Sequence, residues 1–322
     1  MAVWHHWDSL QGSYFHQISD AIKNVEARNP QLFCPVSNGE MIISSDYSGQ
    51  HKEATHEAYS FLITTDQAIE KWLPGLKEFR QTRLPDNRRI SFKKLNENMR
   101  WNALPAFLQL VGNLEGNLIT FLIDQKIGPF IPGGPKKAIE QFSDCFDADA
   151  KYGTVEKMVR IAGFLALIVT ALRKEDQKSH WISDHDEALD SYYKREQFAR
   201  LSAYFSFGLS GWRQPADNIF GTTEHPDSPH WAEDFAAIPD LVAGAYCKLS
   251  DFLPSHFDYE TDSAMRLRSS SNVSDRRARA IGNWLTLGFK PLRHTLVRLE
   301  LIDGEPRASA QFFLPTIVRH NF

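Results

Sequence analysis

Hydrophobic and polar residues follow two periods along the chain, and their succession predicts strands that alternate with helices. Residues 9–28 place apolar side chains three or four positions apart, which is typical of an amphipathic helix. The β-prone runs 41–45 and 59–65 predict two neighbouring strands, and the apolar run 118–123 predicts a central strand buried on both faces. We further expect helices over about 66–72, 97–112, 135–148, 154–174, 187–207 and 231–251, and short strands at 89–95, 180–183 and 218–222.

The character of the chain changes near residue 256. Arginines gather around a serine-rich loop, and two β-prone runs then flank Asp303-Gly304, which predicts a basic helix followed by a β-hairpin. The whole pattern predicts an α/β fold with a mixed sheet. We expect an N-terminal helix in residues 1–35, a core in 36–255 with a helical insertion at about 126–176, and a C-terminal helix-and-hairpin extension in 256–322.

Composition and charge limit the classes of function. The 322 residues are 42% hydrophobic and 24% charged, as expected of a globular protein. The net charge of −4 excludes a basic field over the whole surface, so any nucleic-acid contact must be local. The N-terminus lacks the pattern of a signal peptide, and the apolar run 163–172 is shorter than the roughly 20 residues of a membrane span. The three cysteines form no CxxC, so we expect a cytoplasmic protein without membrane association.

Four aspartates lie where an open α/β sheet collects its ligands. Asp46, Asp124 and Asp184 each follow a predicted strand, and Asp240 lies in the predicted helix 231–251. Because ligands bind outside the carboxyl ends of strands in such sheets, these side chains can converge although they are distant in sequence. Each aspartate also has a purely structural interpretation, since its side chain can bind backbone amides where a strand turns.

Converging carboxylates predict a bound cation. They resist ionising together unless positive charge neutralises them, and oxygen ligands suit Mg²⁺ or Mn²⁺. Two such ions about 3.5–4 Å apart would activate a water and stabilise the leaving oxygen during phosphodiester hydrolysis. The hypothesis is a two-metal nuclease whose catalytic and metal-binding residues are Asp46, Asp124, Asp184 and Asp240.

Short blocks in a fixed order resemble the ribonuclease H-like superfamily. They read MIISSDYSG, FKKLNENMRWNALPAFLQL with LITFLIDQK, WISDHDEA and IPDLVAGA, and they cover roughly residues 40–250. The closest similarity is to a bacterial family with DESG, Asp-Lys, Asp-Glu and ADLIAG blocks. The resemblance implies a five-stranded mixed sheet flanked by helices, a carboxylate-bound divalent metal and nuclease activity. It also implies a setting in mobile elements or antiphage defence, with a partner protein.

The blocks assign the aspartates by position. Asp46 matches the aspartate of DESG, and Asp240 matches the aspartate of the last helix. Asp124 and Asp184 match the two intermediate strand-end aspartates, with Asp186 as the substitute for Asp184 if that strand runs two residues longer.

Two residues depart from the family pattern. Tyr47 stands in place of the glutamate of DESG, and Pro239 precedes Asp240 where the family usually has alanine. Together with the apolar helix 154–174, Tyr47 motivates a second hypothesis. The protein would be a binding or assembly module that kept the fold, lost catalysis and acts with a partner protein or as a homo-oligomer. Its carboxylate cluster would then be plugged by a side chain such as Tyr47 or Lys126.

A nuclease of this net charge needs a local basic surface for phosphates. We predict nucleic-acid contacts at Lys93, Lys94, Arg266, Arg268, Arg276 and Arg277, with Arg88, Arg89 and Arg100 as basic neighbours. A solvated charged face is the alternative interpretation of these residues. Nucleic-acid contact is favoured for Lys93 and Lys94, because the resembling family also carries a lysine in that block.

A third hypothesis is a histidine-ligated metallohydrolase. It requires His225 and His230 to point into one pocket, with Glu233 as the third ligand.

Overall fold

The computed structural model describes residues 3–5, 13–51, 53–86, 88–184, 186–210, 218–223, 231–250, 264–265, 273–285 and 291–313. These residues form one eight-stranded sheet and eight α-helices. The strands are β1 (Met41–Ser48), β2 (His56–Thr65), β3 (Gly116–Asp124), β4 (Ser179–Ser183), β5 (Asn218–Thr222), β6 (Ala264–Met265), β7 (Leu292–Ile302) and β8 (Glu305–Phe313). The helices are α1 (Tyr14–Arg28), α2 (Asp66–Arg83), α3 (Asn98–Gly112), α4 (Gly134–Gln141), α5 (Tyr152–Leu172), α6 (Tyr192–Ser210), α7 (Trp231–Leu249) and α8 (Arg276–Leu285).

The strand order is β5-β4-β1-β2-β3-β7-β8-β6. Strand β2 pairs antiparallel with both β1 and β3, whereas β4 runs parallel to β1 and β5 runs parallel to β4. The predicted α/β fold with a mixed sheet flanked by helices is confirmed, and its assignment to the ribonuclease H-like superfamily stays a prediction. The sheet is wider than the five strands expected, because the C-terminal hairpin β7/β8 continues it beyond β3. The domain boundaries near residues 35 and 255 stay predictions.

The strand predicted at 89–95 is wrong. Ile90, Phe92 and Leu95 are all buried, and Phe92–Lys94 forms a 3₁₀ turn between α2 and α3. The alternation of Ile90 and Phe92 resembled a strand, but in the described residues this segment pairs with no neighbouring strand. Its apolar side chains instead fill the space between the helices on one face of the sheet.

Alternation along the strands gives the sheet two differently covered faces. On the α5 face, Ile43 and Phe61 pack against α5, and Phe164 stacks on Phe121 with ring centroids 4.2 Å apart. On the α7 face, side chains such as Leu62 pack against α7, with α2, α3 and α8 around it. Helix α5 is therefore buried within the fold, and its apolar surface needs no partner to cover it.

No helix in the described part of the chain is long and apolar enough to cross a membrane.

Candidate carboxylate site

The end of β1 holds the first block of the sequence pattern, DYSG. Asp46 faces α7, whereas Tyr47, the next residue, packs on the α5 face beside Tyr59. Gly49 follows the strand with φ +88°, and a Cβ at this position would lie 2.2 Å from the backbone oxygen of His56. Only glycine therefore allows β1 to pass so close to the start of β2.

The register of the parallel strands brings Asp184 beside Asp46. The last residue pair between β1 and β4 is Ser45 with Ser183, so Asp46 and Asp184 come next on the two strands. Thr223 follows β5 directly, and its amide donates to the Ser183 oxygen at 3.1 Å. Its hydroxyl donates to Oδ1 of Asp184, also at 3.1 Å. The carboxyl ends of three strands thus meet at one edge, where open α/β sheets bind ligands.

Helix α7 adds Asp240 to this edge. The Asp240 carboxylate accepts a hydrogen bond from the Asp46 carboxyl, and its Oδ2 accepts from the Phe92 amide at 2.7 Å. One turn further along α7, a Cβ on Gly244 would come within 2.4 Å of the Phe92 ring. The glycine of IPDLVAGA therefore makes room for Phe92, which in turn places its amide on Asp240. Pro239 is buried inside the helix.

The surroundings of Asp46 and Asp240 raise the pKa of both carboxyl groups. Burial raises the pKa of Asp46 well above its ordinary value, and the charges of Asp240 and Asp184 raise it further. Burial also raises the pKa of Asp240, although hydrogen bonds from Asp46 and the Phe92 amide and the charge of Arg89 oppose this. Among the described residues, negative charge therefore outweighs positive charge around these two carboxyl groups.

Arg89 provides the positive charge that is present. Its Nη1 donates to Oδ1 of Asp184 at 2.7 Å, and its Nη2 donates to Oδ2, so the pair is bidentate. Burial lowers the pKa of Arg89, but the hydrogen bond and charge of Asp184 and the charges of Asp240 and Asp46 outweigh it and raise this pKa overall. Arg100 is buried, and its Nε donates to the Arg89 carbonyl oxygen at 2.7 Å. We call Asp46, Asp184 and Asp240 the carboxylate cluster.

Asp124 lies outside the carboxylate cluster, which corrects the expectation of a fourth carboxylate there. The register aligns Asp46 with Ser60 and Ser60 with Thr120. Asp124 is therefore displaced by about 13 Å along the strands and about 10 Å across them. Its Oδ1 accepts from the amide of Lys126 at 2.9 Å and begins a 3₁₀ turn, which is the structural role open to a strand-end aspartate. Lys126 is exposed in that turn.

Asp186 and Tyr47 belong to the opposite face of the sheet. Oδ2 of Asp186 pairs with Nζ of Lys157 at 2.5 Å, and Lys157 also lies 5.7 Å from the centre of the Tyr47 ring. The Tyr47 hydroxyl is hydrogen-bonded to Ser45. Asp186 is therefore no substitute for Asp184, and the predicted plug formed by Tyr47 is wrong. Because neighbouring residues of a strand face opposite sides, a glutamate at this position would also point away from Asp46.

Four of the predicted nucleic-acid contacts lie beside the carboxylate cluster. Lys93 and Lys94 are exposed in the turn that begins with Phe92, whose amide binds the cluster. The guanidinium of Arg277 lies 4.6 Å from the centre of the Phe92 ring, and Arg276 is exposed on the same first turn of α8. We call Lys93, Lys94, Arg276 and Arg277 the basic flank. Arg277 is also paired with Asp275, so the exposed Lys93, Lys94 and Arg276 offer the positive charge that a polyanion could approach.

Other predicted contacts cannot be placed or are placed elsewhere. Arg266, Arg268, His225 and His230 lie outside the described residues. Arg88 pairs with acidic side chains of its own loop and of α3 rather than with the cluster.

The donor chemistry suits a divalent cation, but the arrangement is not a complete metal site. The cluster offers only carboxylate oxygens, which Mg²⁺ and Mn²⁺ prefer. Within the described residues, however, no three His, Cys, Asp or Glu side chains are placed to hold one metal ion. Both oxygens of Asp184 are bound to Arg89. Asp46 and Asp240 are neighbours, and Asp184 could bind a metal with them only without Arg89.

Comparisons with known proteins find a distant structural similarity. No protein-family model matches the sequence, and no curated protein matches it. Among solved structures, ribonuclease H2 from Pyrococcus horikoshii OT3 is similar, with a TM-score of 0.34 and 14% identity, covering 76% of this chain and 85% of that chain. A TM-score of this size carries no information on chemistry. The narrower similarity to the bacterial family with DESG and ADLIAG blocks stays a prediction.

Proposed function

We propose that this protein is a divalent-metal-dependent nuclease that hydrolyses phosphodiester bonds of DNA or RNA. The observation that supports this most is the convergence of Asp46, Asp184 and Asp240 where the parallel strands β1, β4 and β5 end, with Thr223 bound to Asp184 and the Phe92 amide bound to Asp240. Burying neighbouring carboxylates opposes folding, because each raises the free energy of ionising the others. Stability alone therefore does not account for the cluster, and groups with such perturbed ionisation mark functional sites.

The residues have distinct roles in this proposal. Asp46 and Asp240 would hold Mg²⁺ or Mn²⁺, and Asp184 would complete the set. The bound ion would polarise the phosphate and lower the pKa of the attacking water. Thr223 orients Asp184 through its hydroxyl, and the Phe92 amide orients Asp240. These hydrogen bonds keep two carboxylates aimed at the same space.

The basic flank supports a nucleic acid as the substrate. Phosphate groups bind lysine and arginine whatever the base sequence, and they position the backbone at the site. Because Lys93 and Lys94 follow Phe92 directly, a phosphate bound there would lie next to the residues that hold Asp240. The defence role, the partner protein and the cytoplasmic location implied earlier stay predictions.

Cleavage of labelled single- and double-stranded DNA and RNA, with Mg²⁺ or Mn²⁺, tests the proposal. We expect Asp46→Asn and Asp240→Asn each to lower cleavage on the order of a hundredfold or more, since each removes a charged metal ligand. Asp124→Asn is the matched control, because it makes the same chemical change outside the cluster. An equal loss in the Asp124 variant would contradict the site described above.

The ion pair between Arg89 and Asp184 favours a second candidate function. If the guanidinium permanently replaces a metal ion, the protein is a binding or assembly module of the same fold. Neither the wild type nor an Arg89→Gln variant would then cleave any substrate or bind Mn²⁺. Charge reversal in the basic flank, as in Lys93→Glu with Lys94→Glu, would still weaken nucleic-acid binding, measured by fluorescence anisotropy in EDTA.

A further inference from the structure

Arg89 takes the position in the carboxylate cluster where the charge of a metal ion is needed. Its two terminal nitrogens bind both oxygens of Asp184. Its Nε is buried and has no hydrogen-bond partner among the described residues. Its guanidinium also lies within electrostatic reach of Asp46 and Asp240. Within the part of the chain that the structure describes, the guanidinium of Arg89 therefore faces three carboxylates.

A divalent ion competes with this arginine for the same oxygens. It carries twice the charge and binds carboxylate oxygens directly, whereas the guanidinium binds them through hydrogen bonds. While Arg89 is bidentate on Asp184, neither oxygen of that carboxylate is open to a metal. Metal and arginine thus exclude each other at Asp184.

We propose that Arg89 is a displaceable counter-cation, which holds Asp184 in the metal-free protein and leaves it when a divalent ion binds the three aspartates. This inference rests on the proposed function, because it takes the carboxylate cluster to be the metal site.

The surroundings of Arg89 restrict the exchange to its side chain. The Arg89 carbonyl oxygen is held by Arg100, and the next residue, Ile90, is fully buried. The backbone is therefore anchored on both sides of the exchange. The Arg89 side chain itself is 26% exposed, so rotation about its own bonds can carry the guanidinium toward solvent. No rearrangement of the sheet is required.

Mn²⁺ binding to the full-length protein, measured by isothermal titration calorimetry, tests this role without reference to activity. Arg89→Gln keeps much of the side-chain shape but removes the charge, and Arg89→Ala removes the side chain altogether. Arg88→Gln is the matched control, because Arg88 is adjacent and pairs with Asp86 and Glu97 instead of the cluster. Asp46→Asn reports on the metal site itself. Circular dichroism establishes that each variant is folded, and Arg89→Gln serves if Arg89→Ala is not.

We expect Arg89→Gln to bind Mn²⁺ about tenfold more tightly than the wild type, with no change in Arg88→Gln and weaker binding in Asp46→Asn. Mn²⁺ should accordingly raise the Tm of Arg89→Gln more than that of the wild type.

Each contrary result has a separate meaning. Equal affinity in Arg89→Gln and wild type, with weaker binding in Asp46→Asn, would overturn the role of Arg89 and leave the metal site intact. An equal gain in Arg88→Gln would assign the effect to net charge and also overturn it. Absence of binding in every variant would overturn the metal site, and this inference with it.

Discussion

Two groups of charged residues on opposite faces of the sheet each contain an arginine bound to carboxylates, but they are built differently. On the α5 face, Arg160 uses all its nitrogens: Nε donates to Glu156 at 2.7 Å, Nη1 to Glu57 at 3.0 Å and Nη2 to the carbonyl oxygen of Gly128 at 2.8 Å. The guanidinium also lies 4.8 Å from the centre of the Phe130 ring. Every nitrogen of this guanidinium therefore has an acceptor.

On the α7 face, the carboxylates outnumber the positive groups that bind them among the described residues. Both terminal nitrogens of Arg89 bind the same carboxylate, that of Asp184, while burial raises the pKa of Asp46 and of Asp240. A buried charge with all its partners is consistent with a structural role, whereas carboxylates with too few partners lower stability. The comparison teaches that burial of charge does not mark a site. A functional site is marked instead by charged groups whose set of partners is incomplete.

The largest change in stability is expected from Arg160→Ala, which removes the arginine whose three nitrogens all have acceptors. Arg160→Ala leaves Glu57 and Glu156 buried without their positive partner, so we expect a loss of about 3–5 kcal/mol in the free energy of unfolding. Urea denaturation measures it. Arg200→Ala is the control, because Arg200 makes a similar pair with Glu196 on an exposed helix surface and should leave stability nearly unchanged. Equal stability of the two variants would show that the ion pairs of Arg160 do not stabilise the fold.

A smaller effect is expected where packing supports the carboxylate cluster. In Gly244→Ala the new Cβ would meet the Phe92 ring, so we expect a loss of about 1–3 kcal/mol in stability. Cleavage should also fall, because a displaced Phe92 no longer presents its amide to Asp240. Gly208→Ala in α6, where no atom lies within 4 Å of the added Cβ, should instead stabilise the helix by up to about 1 kcal/mol. A Gly244→Ala protein with full stability would contradict the close packing of Phe92 on α7.

The smallest predicted change in stability is a gain rather than a loss. Asp46→Asn removes one of the crowded carboxylates, and we expect a gain of about 1 kcal/mol in stability at pH 7 together with the loss of cleavage. Glu57→Gln, on the satisfied face, should lose stability instead, since Glu57 accepts from both Arg160 and Tyr59. Thermal unfolding of the two variants, measured side by side, tests whether Asp46→Asn raises the stability of the protein while Glu57→Gln lowers it.

The pH dependence of that gain follows from the raised pKa of Asp46. A pKa above the unfolded value means that the folded wild type binds a proton more readily than the unfolded chain. The wild type therefore regains stability as pH falls through the folded pKa, and its disadvantage against Asp46→Asn shrinks. Chemical denaturation at pH 7 and pH 5 checks this trend. A disadvantage that grows toward pH 5 would show that the pKa of Asp46 is lowered rather than raised.

The misjudged residues show what local sequence could predict. Asp46, Asp124 and Asp184 each follow an apolar strand, so their local sequences are alike. Only the insertion of β2 between β1 and β3, with the register of these strands, places Asp124 away from the other two. The orientation of Tyr47 could have been derived from the alternation of β1, since Asp46 and its neighbour must face opposite sides.

The role of Arg89 lay beyond any local pattern. It was expected only as a basic neighbour, and its partner Asp184 is 95 residues away in the chain. Its own segment also resembled a strand because Ile90 and Phe92 alternate, although both are buried among helices.

The order of strands and helices and the positions of Asp46 and Asp240 were readable in the chain, because apolar periodicity and turn residues act over a few neighbouring positions. The width of the sheet, the separation of Asp124 and the binding of Asp184 by Arg89 were not readable in this way. They depend on strand register and on packing between distant segments. These contacts pair Asp184 with an arginine and set Asp46 beside another carboxylate. They form only when the whole sheet has assembled.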